Sequence, residues 1–294
     1  MNQIKTWEEL ELKDDFMFAK VMRNKTICKK MLEKILNIRI RDIEFPEEQK
    51  TIDMTVDGKS IRLDVYVEDD IHTVYDVEMQ AANKGDLRKR SRYYQGMIDL
   101  QLIEKGESYN KLKKSYVIFI CTFDLFGQGR HIYTFENVCL QDENIRLNDE
   151  ATKVFLSSKG TMEDVDEDVK AFLKYLNGEL VKNDFVETID LEVAKVRDNK
   201  EWRREFMTLF MRENEIREES RAEGKIEGKI EGKAELVSII RKKIGKGLRA
   251  DAVADMLELE PSYVERVIGF MESDCSKNDH QIAEALVAEE IKLN

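Results

Sequence analysis

Two short segments in which apolar and polar residues alternate place the strongest constraint on the fold. The stretch IRLDVYVEDDIHTVYDVEMQ covers residues 61–80, and alternation with a period of two is typical of β-strands. Glu68-Asp69-Asp70 supplies a turn between these strands. Upstream, Asp57-Gly58 predicts a tight turn after a further strand. Residues 50–80 are therefore expected to form a three-stranded meander.

The acidic residues of these strands occupy even positions. Asp64 falls on the middle strand, and Asp76, Glu78 and Gln80 fall on the last, so a hairpin that keeps even positions together projects all four to one face. The opposite face would receive Leu63, Val65, Tyr75 and Val77. Carboxylates this close repel one another unless a cation lies between them. A few hard oxygen ligands suit Mg²⁺ or Mn²⁺, so the pattern predicts metal-assisted phosphodiester chemistry.

The segments around the meander predict an α/β fold. Apolar residues recur at helical spacing in DDFMFAKVMRNKTICKKMLEKILNI, with a break near Asn24, and again in GDLRKRSRYYQGMIDLQLIEKG. KSYVIFICTF is an unbroken apolar run, as expected of a strand buried on both faces. HIYTFENV and EATKVFLSS supply further strands.

Several motifs, taken in order, resemble a known nuclease family. Asp64 followed by Glu78-Met79-Gln80 resembles the PD-(D/E)xK nuclease superfamily, in the branch where glutamine replaces the lysine. DDFMFAKVM, LDVYV, YDVEMQ, RSRYYQGMIDLQLIEKGESYNKLKKSYVIFICTFDLF and FLSSKG look like the PD-(D/E)xK family transposases and their recombination-promoting nuclease relatives. The resemblance covers about the first 175 residues. It implies a restriction-endonuclease-like core (helix, three-strand meander, helix, strand) within residues 1–178.

The resemblance also implies roles for individual residues. Asp64 and Glu78 match the metal-binding acids, and the backbone carbonyl of Met79 would be a third ligand. Gln80 stands where most superfamily members have a lysine, and an amide can orient a water but cannot accept its proton near neutral pH. Catalytic residues are thus Asp64, Glu78 and Gln80. The accessory residues implied are Asp15, which would hold a water bound to the metal, and Arg92 and Tyr94, which would face phosphates.

The same residues also have structural interpretations. Asp64 and Asp76 could be exposed polar residues of an antiparallel sheet, and Asp76 is expected to contact solvent or to adjoin the metal ligands. Gln80 could be an ordinary hydrogen-bonded strand residue. Tyr94 could simply pack its helix on the sheet. His72 is expected at the surface, because no nucleophile partner is evident for it.

Composition excludes several other classes of protein. The chain has 294 residues and a net charge of -12, so contact with DNA must rely on local basic segments. Two such segments, each of which could equally be a solvated helix face, are KGDLRKRSR and RKKIGKGLR. Four separated cysteines and three histidines argue against a zinc cluster or a disulfide framework. No apolar run is long enough for a membrane helix and no signal peptide is evident, so we expect a cytoplasmic protein.

The second half of the chain is highly charged and contains a short repeat. Residues 179–234 form a charged helical connector that contains the repeat EGKIEGKIEGK, in which glycine recurs every four residues. Residues 235–294 resemble a helix-turn-helix region and end in a last amphipathic helix. This region would dock on DNA, or else serve as a protein-interaction module. The chain is also expected to form a homo-oligomer through these helices.

Together these observations predict a Mg²⁺-dependent (or Mn²⁺-dependent) DNA endonuclease of the transposase-associated PD-(D/E)xK type, acting in DNA recombination or mobile-element biology. The alternative is a non-catalytic module that keeps the nuclease-like fold and binds DNA or protein.

Overall fold

The computed structural model describes residues 5–45, 51–52, 61–104, 106–274 and 276–292. Its chain divides into two compact units, Met1–Phe206 and Met207–Asn294. The predicted turn at Asp57-Gly58 lies outside the described residues.

Two short helices, α1 (Asp15–Met22) and α2 (Lys25–Leu36), precede the sheet. Asn24 separates them, because its side-chain oxygen accepts hydrogen bonds from the backbone amides of Thr26 and Ile27 at 3.1 and 3.3 Å and so caps α2. The predicted helical segment with a break near Asn24 is confirmed.

A mixed sheet forms the centre of the first unit. Its strands in the described residues are β1 (Ile43–Glu44), β4 (Val65–Asp69), β5 (Val74–Gln80), β6 (Ser115–Cys121), β7 (Ile132–Phe135) and β10 (Ala151–Ser157). These six strands lie in the order β1-β4-β5-β6-β10-β7. The β5–β6 and β6–β10 pairs are parallel and the other pairs are antiparallel. Two separate pairs are formed by β2 (Thr51–Ile52) with β3 (Ile61–Arg62) and by β8 (Val138–Cys139) with β9 (Asp142–Arg146).

The middle strand of the predicted meander is interrupted. Leu63 and Asp64 lie between β3, which pairs with β2, and β4, which pairs with β5. Asp64 therefore occupies a bend immediately before β4 and not a strand position. Leu63 was predicted on the same face as Val65, which is wrong: the interruption places Leu63 in the opposite apolar cluster, with Tyr66 and Val74.

Helices cover both faces of the sheet. Helix α3 (Leu87–Leu102) contributes to the apolar cluster that contains Val74, Val117 and Phe119. The other face packs against α1, α2, α4 (Glu167–Leu176) and α5 (Asp184–Asp198) through a second cluster that includes Val77 and Ile118. Burial on both faces explains the unbroken apolar run of β6. The α/β core is confirmed, and it directs the even-numbered residues of β5 towards α3.

The second unit is all-α in its described residues. Helix α6 (Lys200–Ile244) begins in the first unit, contains the whole glycine repeat and continues into the second. Its last turns pack with α7 (Ala250–Leu257), α8 (Pro261–Ser273) and α9 (Asp279–Lys292) around a core that includes Val237, Val253 and Val264. Pro261 occupies the first turn of α8 as predicted. No helix in the described ranges is long and apolar enough to cross a membrane.

Candidate active site

Strand pairing brings Asp64 and Glu78 together. Val65 pairs with Val77 and Tyr66 with Asp76, so the next position places Asp64 beside Glu78. The backbone amide of Asp64 donates to Glu78 Oε1 at 3.0 Å, and the amide of Met79 donates to Asp64 Oδ2 at 3.1 Å. These reciprocal bonds hold the two carboxylates side by side at the start of β4.

Asp76 is the third carboxylate of this site. Its exposed fraction is 0%, against 2% for Glu78. Neither carboxyl oxygen of Asp76 is bonded by a backbone amide or a basic side chain among the described residues; the hydrogen-bonding group that it meets is the carboxyl of Glu78. The interpretation of Asp76 as an exposed polar residue is wrong, because α3 covers this face of the sheet. A buried acid whose neighbour is another acid is costly to ionise, and a bound cation would lower that cost.

Burial and mutual repulsion raise the pKa of all three carboxyl groups. For Asp64, burial is the largest cause and the charges of Glu78 and Asp15 add to it. The pKa of Asp76 is raised well above its usual value by burial and then by Asp64, and that of Glu78 by burial and then by Asp76. Arg90 opposes the rise at each site. The site is thus a cluster of acids with too little positive charge of its own.

Arg90 is the principal basic residue of the site, and sequence reasoning placed it only in a basic segment. Its Nη1 donates to Gln80 Oε1 at 3.0 Å and its Nη2 donates to the hydroxyl of Tyr94 at 2.7 Å. The same Nη2 lies 3.6 Å from Glu78 Oε2. The i, i+4 spacing of Arg90 and Tyr94 on a helix was the signal in the sequence that could have identified it.

The predicted accessory residues are placed differently from one another. Tyr94 is buried at the site and accepts the bond from Arg90. Asp15 is the first residue of α1. Its side chain is exposed, and its charge raises the pKa values of Asp64 and Glu78. Arg92 is exposed on α3, and no hydrogen bond or ion pair joins it to the carboxylates in the described part of the chain.

The donor set fits a small hard cation. No group of three or more metal-ligating side chains stands ready to hold an ion among the described residues. Mg²⁺, however, commonly uses only one or two protein carboxylates and takes its remaining ligands from water and phosphate. Asp64 and Glu78 would supply that pair, and the buried carboxyl of Asp76 adjoins Glu78. The residues present therefore suit Mg²⁺ or Mn²⁺ better than zinc.

The fold and the site define a class of protein. A mixed α/β sheet that carries an acid before one strand and Glu-x-Gln at the end of the next is consistent with the PD-(D/E)XK fold. The model of the family described as PD-(D/E)XK nuclease family transposase matches residues 12–223, beyond the first 175 residues or so expected to carry the resemblance. The chain belongs to this family. No curated protein and no solved structure matches it significantly.

Proposed function

We propose that the protein is a metal-dependent DNA endonuclease, acting in recombination or the movement of mobile elements. The observation that carries the proposal is the pairing of half-buried Asp64 with buried Glu78, whose carboxylates are fixed by their reciprocal backbone bonds. Membership of a nuclease family supports hydrolysis of a phosphodiester bond. Cleavage of DNA, the use of Mg²⁺ or Mn²⁺ and the biological event served are parts of the proposal.

Each residue would have a defined task in such a reaction. Asp64 and Glu78 would hold the divalent ion, which supplies Lewis-acid activation of the attacking water and of the phosphate. Gln80 lies at the end of β5 beside the acids, where its amide can donate or accept a hydrogen bond but cannot take a proton. Asp15 would orient a water near the pair, and exposed Arg92 is proposed to lie towards the DNA backbone. Tyr94, for which the same role was expected, is buried against Phe119 and would instead hold Arg90.

Nicking of supercoiled plasmid with Mg²⁺ tests the proposal. Asp64→Asn and Glu78→Gln keep the size and one acceptor oxygen of each side chain, so they remove charge with little disturbance of the backbone bonds. We expect each variant to lose nicking by at least about 100-fold. Asp198→Asn, an exposed carboxylate at the end of α5, is the matched control and should cleave like the wild type. Undiminished cleavage in both site variants would reject the assignment.

One observation favours a second function. Glutamine in place of lysine leaves no ammonium group at residue 80. A nuclease-like module that only binds DNA or protein does not need that group. Calorimetric titration with Mn²⁺, together with DNA binding measured by fluorescence, separates the two functions. Intact DNA binding without any heat from the metal would favour the binding module.

The C-terminal helices are proposed to recruit a partner for the first unit. Exposed residues of α8 include the acids Glu265 and Glu272, which are unfavourable for insertion into a DNA groove. Basic residues flank the start of α7 instead, at Lys246 and Arg249. DNA docking through that basic segment and association with a second copy are both consistent with this arrangement. Sedimentation of the full chain with and without DNA distinguishes them.

A further inference from the structure

The orientation of the Gln80 amide is determined by its neighbour. Oxygen and nitrogen of an amide are often hard to tell apart, but a guanidinium has donors only. Because Nη1 of Arg90 lies 3.0 Å from the side chain of Gln80, the atom that meets it must be the carbonyl oxygen. The end of Gln80 that has no hydrogen-bond partner in the described residues is therefore Nε2, which is a donor.

Arg90 is itself held in place from several sides. Its Nη2 donates to the hydroxyl of Tyr94, and its guanidinium carbon lies 5.2 Å from the centre of the Tyr94 ring and 5.8 Å from that of Phe119. Tyr94 and Phe119 belong to the apolar cluster between α3 and the sheet. A planar guanidinium stacks on ring faces and presents its donors in a fixed fork, whereas an ammonium is a compact point charge on a flexible stem. The amide of Gln80 is thus hydrogen-bonded to a cationic side chain that is itself held in place.

This arrangement has a chemical consequence for a phosphodiester substrate. A bond to the carbonyl oxygen of an amide polarises the group and strengthens its N–H donors. The non-bridging oxygens of a phosphate accept hydrogen bonds only, and they gain charge as the phosphorus is attacked. The phosphate therefore needs a hydrogen-bond donor and a positive charge. A lysine supplies both in one group. Here Gln80 would supply the donor and Arg90 the charge.

We propose that Arg90 is a positioning residue that turns and polarises the Gln80 amide, so that Nε2 donates to a non-bridging oxygen of the scissile phosphate. This inference rests on the proposed nuclease function and extends it, because it assigns the positive charge of the site to a residue on α3. Gln80 then contacts substrate, and Arg90 acts on substrate through Gln80.

Exchange of the two side chains provides the test. Arg90→Met should lower kcat for plasmid nicking by about 10- to 100-fold, with little change in the affinity for Mn²⁺. Adding Gln80→Lys to Arg90→Met should restore most of the lost activity, since the ammonium then supplies donor and charge at residue 80. Gln80→Lys alone should not increase activity, because the ammonium would lie against Arg90. Arg203→Met, at an exposed arginine paired with Glu8, is the matched control.

The outcomes separate positioning from a purely structural role. If Arg90 only supported the packing of Tyr94 and Phe119, lysine at residue 80 would not rescue Arg90→Met. A folded double variant as inactive as Arg90→Met, or full activity in Arg90→Met, overturns the proposal. Should Arg90→Met fail to fold, Arg90→Lys carries the test. It should lose about 3- to 10-fold in kcat, because lysine lacks the fixed fork whose separate nitrogens bond Gln80 and Tyr94, and unchanged activity would contradict the inference.

Failure of the nuclease proposal would be visible separately. An inactive wild type rejects cleavage but leaves the orientation of Gln80 measurable in a binding assay. Fluorescence anisotropy with a labelled DNA duplex and Ca²⁺ should then show about 3- to 10-fold weaker binding for Arg90→Met, and recovery in the double variant. Equal affinity across the series would overturn the role of Arg90.

Discussion

Replacing Asp76 by asparagine should stabilise the metal-free protein, and the gain should grow with pH. Asp76 is fully buried, and the hydrogen-bonding group that it meets is another acid, Glu78. Burial and then the charge of Asp64 raise its pKa well above the usual value. Between the unfolded and folded pKa values the folded chain therefore binds more protons than the unfolded chain. Its stability should accordingly fall as the pH rises.

The size of the effect follows from this linkage. Each pH unit between the unfolded and the folded pKa of Asp76 lowers the stability of the wild type by about 1.4 kcal/mol. Asparagine does not titrate, so within this window the variant gains on the wild type by the same amount for each pH unit. Placing its amide in the buried site costs about 1–3 kcal/mol at every pH. The variant should therefore become more stable than the wild type once the pH has risen about one to two units into this window.

Urea denaturation in EDTA, followed by tryptophan fluorescence, measures this directly. Both tryptophans, Trp7 and Trp202, lie in the first unit, so the signal reports on the unit that contains Asp76. Asp198→Asn serves as the control and should follow the wild type at every pH. Added Mg²⁺ should narrow the difference, because a bound cation stabilises the charged wild-type cluster. An Asp76→Asn variant that is less stable than the wild type at pH 8, or one whose pH dependence matches it, would refute the reasoning.

Three further substitutions test individual contacts. Asn24→Ala removes the cap of α2 and should lower the free energy of unfolding by about 1 kcal/mol in urea melts; an unchanged midpoint would contradict the capping role. Gly160→Ala would place a Cβ 2.5 Å from the ring of His131 and should cost about 1–3 kcal/mol, so an equally stable variant would show that this contact relaxes freely. Tyr94→Phe keeps the ring beside Arg90 but removes the acceptor hydroxyl; kcat for nicking should fall about 10-fold, and full activity would argue against the support of Arg90.

The convergence of Asp64 and Glu78 could be predicted from strand parity, because even positions on two paired strands share a face. The hydrogen bond from the amide of Asp64 to Glu78 Oε1 shows that the two residues do meet, although Asp64 lies in a bend just before β4 and parity fails for its neighbour Leu63. The depth of the site could not be predicted in the same way. Parity places Asp76 on the same face as Glu78 but does not say that α3 closes over it. Its complete burial is a property of tertiary packing.

Arg90 shows the same limit on the helix that follows. Arg88, Lys89, Arg90 and Arg92 are neighbours in a basic segment, and composition gives no means of choosing among them. Only the rotation of α3 against the sheet turns Arg90 inward and leaves Arg92 exposed. The hairpin of β8 and β9 was missed for a related reason. Its residues in DENIR are all exposed, so they lack the apolar alternation that marks a strand.

The domain boundaries predicted at residues 178 and 234 stay a prediction. The two compact units instead divide at Phe206, inside α6. A charged segment with glycine at every fourth residue has a weak intrinsic helix propensity, so the length of α6 could not be predicted from the sequence. The continuous helix Lys200–Ile244 makes the repeat part of a single long element.

The most direct test of the account is the binding of Mn²⁺, measured by electron paramagnetic resonance on the wild type and on the double variant Asp64→Asn/Glu78→Gln. We predict that the wild type binds Mn²⁺ at a site that the double variant loses, while urea melts show both proteins folded. Equal binding of Mn²⁺ by the two proteins would contradict the claim that these carboxylates hold the ion.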